Sequence, residues 1–217
     1  MELKPDELEC QLMKPIGDIG RDVGNLMNAT NGNIHKLAFS MLSFSAGSKI
    51  LEVGFGNGKF MSEYFKIHSN IHVTGIDFSD VMCDEAEKNN AELVSSGKLE
   101  IINSDVIGNG FYAETFDLLV AVNAIYFWDP FCDYIDEVNR IMKKGSKLLI
   151  AFRPKAVMEK QPFVGNRFQL FDPNDLVQMM AGAGFPVFDM KSENIRRVSA
   201  DGRTVESTDI CIIFEKK

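Results

Sequence analysis

Lys49-Ile50-Leu51-Glu52-Val53-Gly54-Phe55-Gly56-Asn57-Gly58-Lys59-Phe60 decides how this 217-residue chain is read. Ile50, Leu51 and Val53 suit a buried strand, Gly54, Gly56 and Gly58 fall at alternate positions, and helix-compatible sequence starts near Asn57. A strand, a glycine-rich turn and a helix start make up the βα unit that binds nucleotides at the edge of open α/β sheets. The glycines let the chain turn tightly and let a ligand approach backbone N–H groups with no Cβ between. A dinucleotide-binding G-x-G-x-x-G would need its last glycine at Lys59, whereas here it comes one residue early, at Gly58. Glu52 is expected to set a carboxylate beside the pocket, where a pyrophosphate would be repelled and an ammonium group attracted.

The downstream segments extend that unit. Residues 71–76 predict a strand ending at Asp77, 23 positions beyond Gly54, and an acid about 20 residues on suits both ribose hydroxyls of a nucleoside. Ser79 is the better N-cap for a helix over 80–95, which leaves the Asp77 carboxylate for the ligand. A third strand over 98–102 leads into the turn Asn103-Ser104-Asp105-Val106. A fourth, over 116–122, ends at Asn123, with Tyr126, Phe127 and the single tryptophan, Trp128, just beyond. Those rings either pack the next helix onto the sheet or wall a reaction site.

The pattern E-x-G-x-G-x-G followed by Asp77-Phe78-Ser79 resembles class I S-adenosylmethionine-dependent methyltransferases over roughly residues 45–217. The resemblance extends to Pro15-x-Gly17-x-x-Gly20, Met27-Asn28 and Tyr126-Phe127-Trp128, a combination similar to bacterial methyltransferases of unassigned substrate. It implies an α/β fold: a doubly wound, mostly parallel seven-stranded Rossmann-like sheet whose last strand is antiparallel. It also implies S-adenosylmethionine held by Glu52, Gly54, Phe55, Gly56, Gly58, Asp77, Phe78, Ser104, Asp105, Val106 and Asn123. Phe78 would lie against adenine and Asp105 would meet its amino group. Tyr126, Trp128 and Arg153 are the candidates for contact with a small-molecule acceptor. Many relatives carry a histidine after the fourth strand; none occurs here, so no base is assigned in that segment. A sulfonium is already an activated methyl donor, and a base is needed only when the acceptor must lose a proton.

The remaining stretches complete the layout. Residues 1–17 read as an extended lead-in, and Asp18 as the cap of a helix broken at Asn31-Gly32. A second helix follows, with Ile34, Leu37, Ala38, Met41 and Leu42 on one face. Residues 1–44 thus form an N-terminal helical cap on a domain of residues 45–217, and residues 18–31, weakened by Gly20 and Gly24, are read as its lid. A helix is expected over 57–67, another over 131–143, and a turn at Lys143–Lys147 before a strand over 148–152. The long connector 153–171 suits substrate recognition. A helix capped by Asp172-Pro173 precedes late strands near 187–190 and 210–215, with a turn signal at Asp201-Gly202.

Composition narrows the function. A net charge of −8 argues against nucleic acid, which needs a basic face. Four scattered cysteines without a C-x-x-C pair point to reduced thiols, no metal site and a cytoplasmic protein. No apolar run approaches a membrane span. The expected protein acts on a small molecule, as a monomer or homodimer. His35, His68 and His72 read as solvated residues rather than bases. A protein that senses S-adenosylmethionine without transferring its methyl group would share these motifs, and a nucleotide-dependent oxidoreductase is disfavoured by the glycine spacing.

Overall fold

A computed structural model describes residues 3–198 and 204–217. Two helices lead the chain, α1 (Pro5–Met13) and α2 (Gly17–Met41). Then come β1 (Lys49–Val53), α3 (Glu63–Ile67), β2 (His72–Asp77), α4 (Asp80–Asn89), α5 (Ala91–Ser95) and β3 (Leu99–Asn103). The second half holds β4 (Phe116–Val122), a short 3-10 turn (Ile125–Phe127), α6 (Phe131–Ile141), β5 (Met142–Phe152), α7 (Lys155–Met158) and α8 (Pro173–Gly182). Strands β6 (Val187–Val198) and β7 (Thr204–Glu215) complete it. All seven strands form one sheet in the order β3-β2-β1-β4-β5-β7-β6. Strands β1 to β5 pair in parallel, and β7 runs against both β5 and β6.

Alternation along the strands builds the two layers. Leu51 and Val53 face a core shared with Ile135 and Val138 of α6 and Leu176 and Met180 of α8. Ile50 faces the opposite core, where α2 contributes Ile34, Leu37 and Ala38, with Tyr64 and Ala86 beside them. The parallel register brings Val53 level with Ile76 and Ala121, and Val122 level with Ala151. Gly54, Asp77 and Asn123 therefore emerge at one carboxyl edge, the ligand-binding edge of such sheets.

Several boundaries differ from the sequence expectation. The lead-in is not extended: Pro5 opens α1, and the Glu7 carboxylate accepts the Lys4 N–H at 3.0 Å. Asn31-Gly32 breaks nothing, because the buried stripe of Val23, Ile34, Leu37 and Ala38 runs through and outweighs the glycine penalty. Nor does Asp18 cap; Ile16 is the N-cap, and Asp18 pairs with Arg21 in the first turn. The helix expected over 57–67 is a series of turns with a helix only at Glu63–Ile67. Ser79 does cap α4, accepting the Met82 N–H at 3.2 Å. That helix stops at Asn90, whose side-chain amide donates to the Gly58 carbonyl at 3.0 Å and the Ala86 carbonyl at 2.9 Å. The turn expected at Lys143–Lys147 lies inside β5, with Gly145 at φ +73° and donating to the Lys216 carbonyl at 2.8 Å. Both late strands are far longer than expected, and Asp201-Gly202 lies outside the described residues.

The glycines of the expected lid have a packing reason. A Cβ on Gly20 would meet the Pro15 carbonyl carbon at 2.8 Å, and one on Gly24 the Met82 side chain at 2.9 Å. They are sites of close approach and not points of weakness. Among the described residues no helix is long and apolar enough to cross a membrane, although α2 has the length.

Candidate active site

The glycine-rich turn is held by the next strand. Gly54 and Gly56 take positive φ values of 73° and 59°, which only glycine adopts without strain. Gly54 also lies so near Ala124 that a Cβ would stand 2.8 Å from the alanine methyl. The Gly56 N–H donates to Asp77 Oδ2 at 3.2 Å, and the Ser79 N–H donates to Asp77 Oδ1 at 2.9 Å. Burial pushes the Asp77 carboxyl up to about 6, and those two N–H groups and the Lys14 ammonium oppose the shift. Lys14 itself stands over the Phe78 ring, 5.6 Å from its centre.

Beyond Asp77 lies an aromatic wall. Asp105 Oδ2 accepts the Tyr134 hydroxyl at 2.6 Å, and its Oδ1 accepts the Ile107 N–H at 3.1 Å. Tyr134 stacks on Trp128, with ring centres 5.5 Å apart and planes 7° from parallel. Burial and the Asp105 carboxylate both push the Tyr134 phenol up, so it stays a hydrogen-bond donor. Asn123 follows β4 in a left-handed conformation, φ +55°, rare for a non-glycine residue and often found where function holds the backbone. Its N–H donates to the Ala151 carbonyl at 2.8 Å, while its side-chain Nδ2 is buried with no partner.

These groups line one cavity of about 910 Å³, including its open mouth. Of the residues expected to hold a cofactor, Gly54, Phe55, Gly56, Asp77, Phe78, Ser104, Asp105, Val106 and Asn123 are on its wall, and so is Trp128. Four expected residues are elsewhere. Glu52 shares the face of Ile50 and is buried beneath the turn, where burial pushes its carboxyl up to about 7. The neighbouring Tyr64 hydroxyl opposes that rise, yet neither it nor Glu52 Oε2 reaches a hydrogen bond of ordinary geometry. Gly58 packs on α4, where a Cβ would meet Ala86 at 2.7 Å. The Tyr126 hydroxyl accepts the Arg153 N–H at 2.6 Å, which ties the ends of β4 and β5 together under the site. Arg153 pairs with Asp209 of β7 at 3.0 Å and donates to the Thr30 carbonyl of α2 at 2.9 Å.

The wall also includes residues that the sequence reading missed. Leu12, Met13 and Pro15 belong to the supposed lead-in, and Tyr134 lies within a helix read only as sheet packing. His35 is no solvated residue: it is 9% exposed, lines the cavity and stacks on Phe60 with ring centres 3.9 Å apart. Burial, and then the Arg153 charge, push its imidazole down to about 3, so it is neutral at any physiological pH. The helical spacing of Asn31, Ile34, His35 and Ala38 was the available signal, since it places His35 on the buried stripe.

Residues 51–150 match the model of a methyltransferase domain family. YdaC of Bacillus subtilis, an uncharacterized methyltransferase, is 27% identical over 176 residues, 80% of this chain and 91% of that one. Among solved structures, YcgJ of Bacillus subtilis superposes with a TM-score of 0.69 at 13% identity, covering 86% of this chain and 99% of that one. Residues 51–150 thus form a methyltransferase domain, and the chain as a whole resembles class I S-adenosylmethionine-dependent methyltransferases. The [4+2]-cyclase SpnF shares the fold as well, with a TM-score of 0.67 at 18% identity over 85% of this chain and 80% of that one. Fold alone therefore does not name the acceptor of this methyltransferase.

The residues present suit the family's donor. Gly56 leaves open space that a Cβ would enter, and the Asp77 carboxylate, which already accepts the Gly56 N–H, stands on the same cavity wall. Among the described residues no cluster of histidine, cysteine and carboxylate side chains could hold a metal ion.

Proposed function

We propose that this cavity binds S-adenosylmethionine and directs its methyl group to a small-molecule acceptor. The observation that supports this best is the Asp77 carboxylate, held between the Gly56 and Ser79 N–H groups and facing the cavity. In that setting Asp77 would accept the ribose hydroxyls. Phe78 on one side and the Trp128–Tyr134 stack near Asp105 would enclose the adenine. Bound there, S-adenosylmethionine supplies an electrophilic methyl group on a sulfonium. The chain's own residues orient the donor, exclude water and align the nucleophile, which can supply much of the acceleration. Residues 1–44 act as a cap on the domain of residues 45–217, and the protein works as a cytoplasmic monomer or homodimer.

Calorimetry with S-adenosylmethionine, its demethylated product and NAD tests the reading. The first two should bind and NAD should not; the reverse order overturns it.

A further inference from the structure

The cavity is longer than its nucleoside end. Asp77, Phe78, Ser104 and Asp105 sit at the ends of β2 and β3, whereas Asn31, His35 and Phe60 line the other end. Arg153, at the end of β5, acts on His35 and bonds to the Thr30 carbonyl, which places that end over the β4–β5 side of the sheet. Three buried polar atoms there lack any partner: Asn31 Oδ1, His35 Nδ1 and Asn123 Nδ2. A buried polar group without a partner is costly, and clustering them in one cavity wall points to a ligand that satisfies them. The His35 ring is fixed for that purpose by its stack on Phe60.

The charges of the wall are segregated. Asp77 and Asp105, both at the nucleoside end, are the only carboxyl side chains lining the cavity among the described residues, and no lysine or arginine lines it. Apart from those two carboxyls, the wall presents amides, one neutral imidazole, hydroxyls, thioethers and aromatic rings. No carboxylate on the wall at the far end faces a cationic acceptor, and the Arg153 guanidinium that acts on His35 is already paired with Asp209, so a charged acceptor would be buried without a counter-charge of its own. His35 held neutral can donate or accept a hydrogen bond, but it is a poor proton acceptor.

Resting on the donor assignment above, we infer that Asn31, His35, Phe60 and Asn123 form the acceptor subsite, and that it takes an uncharged, flat, polar molecule. His35 is a specificity-determining contact of that subsite. The acceptor's nucleophilic atom must then carry its lone pair without prior deprotonation by this site, as an uncharged imidazole- or pyridine-type nitrogen does. In the transfer, that lone pair forms the new bond to the methyl carbon while the carbon–sulfur bond breaks and its electrons return to sulfur. Any proton on the nucleophile leaves afterwards to water.

The test uses the full chain saturated with S-adenosylhomocysteine and follows the His35 imidazole by NMR as probes are added. Neutral phenol, nicotinamide and indole are compared with benzoate and benzylamine at pH 7.5. At least one neutral probe should shift the His35 resonances saturably, with Kd at least tenfold lower than either charged probe. His35→Ala should weaken that probe at least tenfold by equilibrium dialysis, with S-adenosylhomocysteine affinity kept within threefold; His35→Gln, which keeps a hydrogen-bonding group, should lie between. Equal binding of charged probes, no shift with any probe, or loss of S-adenosylhomocysteine but not methylthioadenosine from His35→Ala would each overturn the inference. The last result would assign His35 to the amino-acid end of the donor. Failure of the wild-type chain to bind S-adenosylhomocysteine at all would instead remove the donor assignment itself.

Discussion

Two carboxyls one strand apart behave differently because of what surrounds them. Asp77 is raised to about 6, yet it faces the cavity and accepts two backbone N–H groups. Ribose hydroxyls would favour its charged form, so donor binding should weaken as pH falls through about 6, by up to tenfold per pH unit. Calorimetry from pH 8 to pH 5 checks this, and Asp77→Ala should cost roughly 1.5–3 kcal/mol of binding at pH 8. Glu52 has no such compensation. Its folded-state pKa of about 7 lies above the ordinary value of 4.5, so the native state holds the proton more tightly than the unfolded chain does. Stability from this group is full below pH 4.5 and is lost as pH rises through about 7. Glu52→Gln, isosteric and uncharged, should therefore stabilise the fold at pH 8 by on the order of 2–3 kcal/mol, read as a rise in Tm, with little change at pH 4.5. An equal gain at both pH values would mean that burial of the charge is not the cause.

At the scale of elements, α1 and α2 both line the cavity, and a clasp joins α1 to the rest of the chain. Helix α1 contributes Leu12 and Met13 to the wall, and its Glu9 side chain reaches the connector after β5. Glu9 Oε1 accepts the Arg167 N–H at 2.8 Å, and Oε2 pairs with the Arg167 guanidinium at 3.1 Å. Gly165 makes room, since a Cβ there would stand 2.5 Å from the Glu9 carboxylate. The connector is anchored in turn, with Gln169 donating its N–H to the Tyr126 carbonyl at 2.8 Å. Glu9→Ala should speed hydrogen exchange over residues 5–13 and 163–168 while leaving residues 34–41 protected. Uniform loss of protection would show that α1 is part of the core and no separate cover. For α2 the expectation of a weakened lid reverses. Gly20→Ala should destabilise by roughly 1–3 kcal/mol, since the Pro15 backbone cannot yield as a side chain can, and thermal melts decide the sign.

For the whole molecule, Arg153 joins three elements that the chain visits far apart. Its ion pair with fully buried Asp209 and its bond to Thr30 connect β5, β7 and α2 at the edge where the cavity opens. Removing one member of a buried pair takes away compensation for the other, so Arg153→Ala should destabilise by up to roughly 3–5 kcal/mol, measured by denaturant unfolding. The same change should raise the His35 pKa, because it removes a positive charge that disfavours protonation.

What the sequence by itself determined is the local and periodic part. The strand–glycine turn, Asp77 at the end of β2, the Ser79 cap and the Asp172-Pro173 helix start all came from backbone chemistry confined to a few residues. Apolar runs placed β1 to β4 to within a residue or two, because inner parallel strands bury both faces, as Leu118–Val122 of β4 do. Tertiary structure decided the rest, where distant segments meet. Gly58 packs on α4 and is off the cavity wall, Glu52 is buried below the turn, and Arg153 pairs with Asp209. His35 changes most: a histidine on a helix has no fixed character until burial and a neighbouring guanidinium hold it neutral. Those partners lie 25 and 118 positions away, at Phe60 and Arg153, a separation across which residue spacing carries no information.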